Sequence, residues 1–156
     1  MRKGRKDGFK AFHGNAEPHD PQAVETFERS RLKWHHKDEK HHRILWELYA
    51  ELIRLRRTVP ALATLDNTAL RVVSDEEQKV LAMKRWRDTE QILAFFNFSK
   101  HDVDGPGLFL TEPWKKVLDS SDRRWNGPGT LLPESLQPDD QAVVRAESFA
   151  LYINEH

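Results

Sequence analysis

Helices followed by an antiparallel β-sandwich is the fold class this sequence predicts, on three observations: a helical stripe over residues 43–57, a switch after residue 68 to short runs of period 2, and turn residues between those runs. The stripe is Leu45, Leu48, Tyr49, Leu52 and Leu55, widened by Trp46, Ala50 and Ile53. Its polar side, Arg43, Glu47, Glu51 and Arg54, is narrow. The apolar arc therefore exceeds what a helix covering one face of a small domain needs, and a second packing surface is expected. Pro60 should end this helix, because its ring removes a donor and clashes with the preceding turn, so that Pro60-Ala61-Leu62 opens a linker.

Seven runs then read as strands: Leu70 to Val73, Lys79 to Arg87, Gln91 to Phe98, Gly107 to Leu110, Trp114 to Ser120, Ala142 to Glu147 and Phe149 to Asn154. Arg87-Asp88-Thr89-Glu90 is the expected hairpin turn between the second and third. Those two carry apolar residues on both faces, with Leu81 and Met83 against Val80 and Ala82, and Leu93 and Phe95 against Ile92 and Phe96. Strands of that kind belong in the centre of a sheet covered on both sides.

Residues 1–42 are polar and interrupted by Gly14, Pro18 and Pro21, so this arm buries little by itself. Asp20-Pro21 fits an N-cap and first-turn proline for a short helix to about Arg29. Phe9, Phe12, Phe27, Leu32 and Trp34 are the arm's large apolar anchors.

Composition excludes several functions. The 156 residues contain no cysteine, which removes disulfides, thiolate nucleophiles and thiolate metal sites, and favours a cytoplasmic setting. Equal numbers of basic and acidic residues give no field to gather nucleic acid or press the chain onto a membrane. The basic start Arg2-Lys3-Gly4-Arg5-Lys6 lacks a following apolar run, and no run reaches the ~20 residues of a spanning helix.

No catalytic, cofactor-binding or metal-ligating residue is assigned. In His35-His36-Lys37-Asp38-Glu39-Lys40-His41-His42 no two histidines stand at i and i+3 or i+4, and His35 and His42 on one helix would be ~10.5 Å apart. A solvated segment before the helix is expected instead, with Asp38 positioned to cap it and Glu39 near the positive end of its dipole. Arg123-Arg124-Trp125 sits in a Gly/Pro-rich loop, where a tryptophan pinning the loop is the commoner arrangement than a sugar platform. The five tryptophans, Trp34, Trp46, Trp86, Trp114 and Trp125, read as core and interface anchors. Acidic residues fall in turns (Asp88, Asp102, Asp104, Asp139, Asp140) and on the helix's polar stripe, with no motif marking the carboxylate pair a glycosidase needs.

The order of motifs resembles one family. Arg5-Lys6-Asp7-Gly8-Phe9-Lys10-Ala11-Phe12, Glu17-Pro18-His19-Asp20-Pro21-Gln22 and Thr26 to Leu32 are similar to the stretch after the eighth barrel strand of malto-oligosyltrehalose trehalohydrolases, in the α-amylase superfamily. Leu48-Tyr49 to Leu55-Arg56-Arg57 with Pro60-Ala61-Leu62 looks like that superfamily's closing barrel helix. Leu93 to Ser99, Leu118 to Asp122 and Ser148 to Tyr152 look like strands of its C-terminal β-domain. The resemblance implies an arm over residues 1–42, a barrel-closing helix and linker over 43–62, and an antiparallel β-domain over 63–156. It also implies that the catalytic carboxylates lie in upstream motifs absent here, so that the chain is a non-catalytic structural part of a glycosidase releasing trehalose from maltooligosyl trehalose. The implied partner is the catalytic barrel, in the same or a companion chain, with maltooligosaccharide met through the complete enzyme. Phe9, Phe12 or Trp34 of the arm would then border the sugar. Two other readings fit the same residues: a stand-alone carbohydrate-binding sandwich, and a module that dimerises through helix 43–57. Nucleic acid, membrane and cofactors are not expected.

Overall fold

The computed structural model describes residue 20 and residues 22–106, 110–138 and 140–155, which fall into two units divided after Glu39. In the first unit, helix α1 spans Val24–Ser30 and a 3-10 turn spans Trp34–Asp38. The expected cap at Asp20 does not form. Ala23 takes the N-cap position without a side-chain cap, while the Asp20 carboxylate accepts from the Gln22 amide at 3.0 Å and its carbonyl from the Thr26 hydroxyl at 2.6 Å. An aspartate that turns the chain onto its own backbone is thereby used up before the helix begins. Asp38 is likewise no cap, because it belongs to the 3-10 turn and Glu39 separates it from the next helix.

The second unit opens with α2, Lys40–Thr58, longer than the predicted stripe by about a turn. Pro60 does not start an irregular linker: after Val59 it stands at the first position of a short helix α3, Pro60–Ala63, where its missing N–H costs nothing. Among the described residues eight strands follow: β1 (Leu70–Asp75), β2 (Val80–Arg87), β3 (Glu90–Asn97), β4 (Val103–Asp104), β5 (Trp114–Asp119), β6 (Ser135–Leu136), β7 (Val143–Val144) and β8 (Ser148–Glu155). Six form one sheet in the order β1-β2-β3-β8-β5-β6, and β4 pairs with β7 in a small second sheet; every pairing is antiparallel.

The two-sided strands are central, as their sequences require. Leu93 and Phe95 of β3 face one cluster with Ala82, Trp114, Leu132, Leu136, Val144, Ala150 and Tyr152, roofed by the small sheet and the 132–136 segment. Ile92 and Ala94 face the other, with Leu55, Val59, Ala61, Leu118 and Leu151, roofed by α2 and α3. The predicted hairpin forms, with Arg87 opposite Glu90 and Asp88 at a φ of 53°. Lys79, expected in β2, has a φ of 57° and closes the preceding turn instead. β7 is shorter than predicted because Glu147 turns at a φ of 49°. β4 and β6, two residues each, lacked a readable period. Of the Gly107–Leu110 run, residues 107–109 lie outside the described residues and Leu110 is in no strand.

In β5 the register with β8 slips between Lys116 and Leu118, a bulge at Val117. Trp114 and Lys116 therefore share one face and Leu118 turns to the other. Lys116 is buried, its side chain 5% exposed, and its ammonium donates to the Leu132 carbonyl at 2.8 Å and pairs with Glu134 at 2.9 Å. A buried ammonium is tolerated only with such partners, and these tie the 120–134 loop to the sheet.

Candidate docking face

Helix α2 divides its apolar arc. Leu48, Leu52 and Leu55 turn towards the sheet, and Leu55 is only 3% exposed. Leu45, Trp46, Tyr49 and Ile53 lie outward, more than half exposed, Trp46 at 58% and Ile53 at 56%. The second packing surface expected from the width of the arc is thus present within the described unit as an uncovered apolar face. Single exposed apolar side chains are ordinary, but a contiguous row on one helix is the mark of an interaction surface.

Beside this row a groove of about 500 Å³ runs between helix and sheet, lined among others by Tyr49, Leu52, Ile53, Met83, Phe96 and Phe149. Phe96 stacks on Phe149 at 6.0 Å, across the β3–β8 pair, and on Phe98, just past the end of β3, at 6.2 Å. Phe98 is 66% exposed, so the aromatic row carries the apolar surface out to the strand end. Phe96 lies on the two-sided strand expected of it, and the row is written in the sequence as Phe96 and Phe98 at the i, i+2 spacing that puts both on one face.

A second cleft of about 580 Å³ is polar, with Arg54, Thr58, Glu90, Lys115, Ser135 and Asn154 on its walls. Its groups are engaged in holding the fold. Glu90 accepts from the Ala61 amide at 2.9 Å, fastening α3 to the sheet. Asn154 donates to the Pro113 carbonyl at 3.0 Å. Arg54 is bound to Glu51 at 2.6 Å, and that hydrogen bond holds the Glu51 carboxyl below the usual carboxylate range.

The residues singled out in the sequence are dispersed. Phe9 and Phe12 lie outside the described residues, and Phe27, Leu32 and Trp34 are exposed. Of the five tryptophans Trp114 alone is in the core; Trp34, Trp46 and Trp86 are exposed and Trp125 is half-buried. Trp125 stands in a 3-10 turn over Arg123–Trp125, half-buried and not buried as a loop anchor would be, with the Arg124 guanidinium 4.2 Å from its ring centroid. Asp119 is equally committed: it accepts from the Ser121 amide at 2.9 Å and hydroxyl at 2.6 Å, shaping the Leu118 to Asp122 motif.

No protein-family model matches the chain. A malto-oligosyltrehalose trehalohydrolase from Rhizobium sp. (strain M-11) is 38% identical over 91 residues, 58% of this chain. A second enzyme of the same name, from Deinococcus radiodurans, is 43% identical over 61 residues, 39% of the chain. Over part of its length the chain is a relative of malto-oligosyltrehalose trehalohydrolase. It spans only 15% of the Rhizobium trehalohydrolase and 10% of the Deinococcus one. The fold extends the likeness beyond the trehalohydrolase match. A putative alpha amylase from Salmonella typhimurium superposes with a TM-score of 0.69 at 22% identity, covering 99% of this chain and 23% of that one. The trehalulose synthase MutB from Pseudomonas mesoacidophila gives 0.51 at 17% identity, over 70% of this chain and 18% of its own. The chain is a glycosidase-related domain, mainly antiparallel β with helices before it.

Proposed function

We propose that this chain is the non-catalytic C-terminal part of a glycosidase that hydrolyses maltooligosyl trehalose to release trehalose. Residues 1–42 would form the arm after the last barrel strand, 43–62 the barrel-closing helix and its exit, and 63–156 the β-domain. The observation that carries the reading is the uncovered apolar row Leu45, Trp46, Tyr49 and Ile53 on a chain that spans 15% of its trehalohydrolase relative. A helix with one apolar side on its own sheet and the other open is suited to stand between two bodies, and the second body in this reading is the catalytic barrel. Trp34 would stand near the sugar in the assembled enzyme. Cytoplasmic residence belongs to the same proposal and rests on the cysteine-free sequence.

The test is complementation. A trehalohydrolase barrel stripped of its own counterpart of this segment is mixed with the chain, and trehalose release from maltooligosyl trehalose is followed. The chain should restore release, and the double variant Trp46→Ser/Ile53→Ser should not, although its own urea unfolding is unchanged. Failure of the wild-type chain to rescue, or full rescue by the double variant, sinks the reading. Dimerisation of the wild-type chain abolished by the same substitutions would put a homodimer in the barrel's place, and saturable binding of maltodextrin by the chain alone would favour a carbohydrate-binding module.

A further inference from the structure

The 3-10 turn Trp34–Asp38 brings together a set of groups that α-helical spacing alone does not reveal. His35 and His36 are neighbours in sequence, and a 3-10 turn sets consecutive side chains about 120° apart, so the approach of their rings comes from the side-chain rotamers and not from the turn itself. In the 3-10 turn their rings stand edge to face, centroids 4.5 Å apart and planes at 89°. His36 Nε2 lies 3.6 Å from Glu39 Oε1, one 3-10 turn on. One donor atom from each of His35, His36 and Glu39 lies within 4.8 Å of the other two. Zinc bonds of about 2.0–2.2 Å to imidazole and carboxylate in a tetrahedron place donor atoms about 3.4 Å apart. The His36–Glu39 edge already has nearly that length, and the His35 donor lies within 4.8 Å of both.

We propose that His35, His36 and Glu39 form a binding site for a divalent ion of the zinc, nickel and copper class. The two imidazoles select that class, since they are borderline nitrogen ligands, whereas calcium and magnesium take all-oxygen sets. Three protein ligands leave a position for water, and the exposure of His35 and Glu39 gives an ion direct entry. The bound ion would lock the 3-10 turn that precedes α2. Histidine pairs at i and i+4 are the familiar helical signature, whereas here the i, i+3 partner of His36 is a glutamate.

The experiment uses the full chain stripped with chelator, titrated with zinc by calorimetry and with cobalt(II) as the spectroscopic probe. One equivalent of zinc should bind, and cobalt(II) should give the intense visible bands of a four- or five-coordinate site. His36→Ala and Glu39→Gln should each weaken zinc by at least about tenfold, the scale at which even residues behind a metal's direct ligands count. The double variant His41→Ala/His42→Ala should bind zinc within about twofold of the wild type, since neither residue belongs to the triad. A flat isotherm, or binding unaffected by His36→Ala, overturns the site. So does a loss with the His41/His42 pair equal to the loss with His36→Ala, or an unchanged affinity in Glu39→Gln.

Discussion

Tyr152 shows what a single side chain does at the centre of this fold. It is fully buried, its hydroxyl donates to the Pro133 carbonyl at 2.8 Å, and its ring meets Phe95 edge to face at 6.3 Å. Burial, and behind it the negative charge of Asp119, pushes the phenol well above its ordinary value. A raised value means that the native state holds the proton after the unfolded chain has released it. The contribution to stability is therefore complete below the unfolded value of about 10 and is lost as pH rises from there towards the folded value. Tyr152→Phe should cost about 1 kcal/mol at neutral pH through the lost hydrogen bond. It should also make the alkaline decline shallower, as read by urea unfolding at a series of pH values; parallel declines in the two proteins would disprove the assignment. Nothing in the sequence marked Tyr152 beyond its apolar strand, because its partner lies 19 residues away in a loop. Asn97 was equally silent: its amide donates to the carbonyls of His101 at 2.7 Å and Val144 at 3.1 Å, which binds the end of β3 to the small sheet. Residue identity reports burial; the partner in a polar contact is set by the path of the chain.

Helix α2 separates two kinds of apolar residue that look identical in a periodicity plot. Leu55 packs in a cluster with Val59, Ala61, Ile92, Ala94, Leu118 and Leu151, so Leu55→Ala should cost about 3 kcal/mol in transfer and cavity terms. Leu45, 52% exposed, should tolerate alanine within about 0.5 kcal/mol. Equal losses in urea unfolding would show that the outward face is covered by the chain itself. The helix, the β2–β3 hairpin and the centrality of β3 were legible because each rests on local period and turn chemistry. β4 and β6 were not, since strands of two residues form only where a neighbour offers an edge. The bulge at Val117 was also hidden, as it shows only against the partner strand.

At the scale of the molecule, both core clusters lie wholly within residues 40–156. Residues 40–156 made alone should consequently unfold in one cooperative transition with a β-type far-ultraviolet spectrum; a gradual, non-cooperative melt would refute that. The order of motifs carried the family likeness, which sequence identity bears out over 58% of the chain, while superposition on a putative alpha amylase at 22% identity shows a shared fold. What covers the outward face of α2 was beyond the sequence, since an apolar arc states that a partner exists without stating its surface.

Strand order has a further consequence in time. β8, the last strand along the chain, lies between β3 and β5 and pairs with both. Until Ser148–Glu155 arrive, β1–β3 and β5–β6 are separate pieces, each exposing a raw inner edge. The sheet of this unit therefore cannot close before β8 has been made, and any nascent chain stalled ahead of β8 presents that open edge to chaperones and proteases.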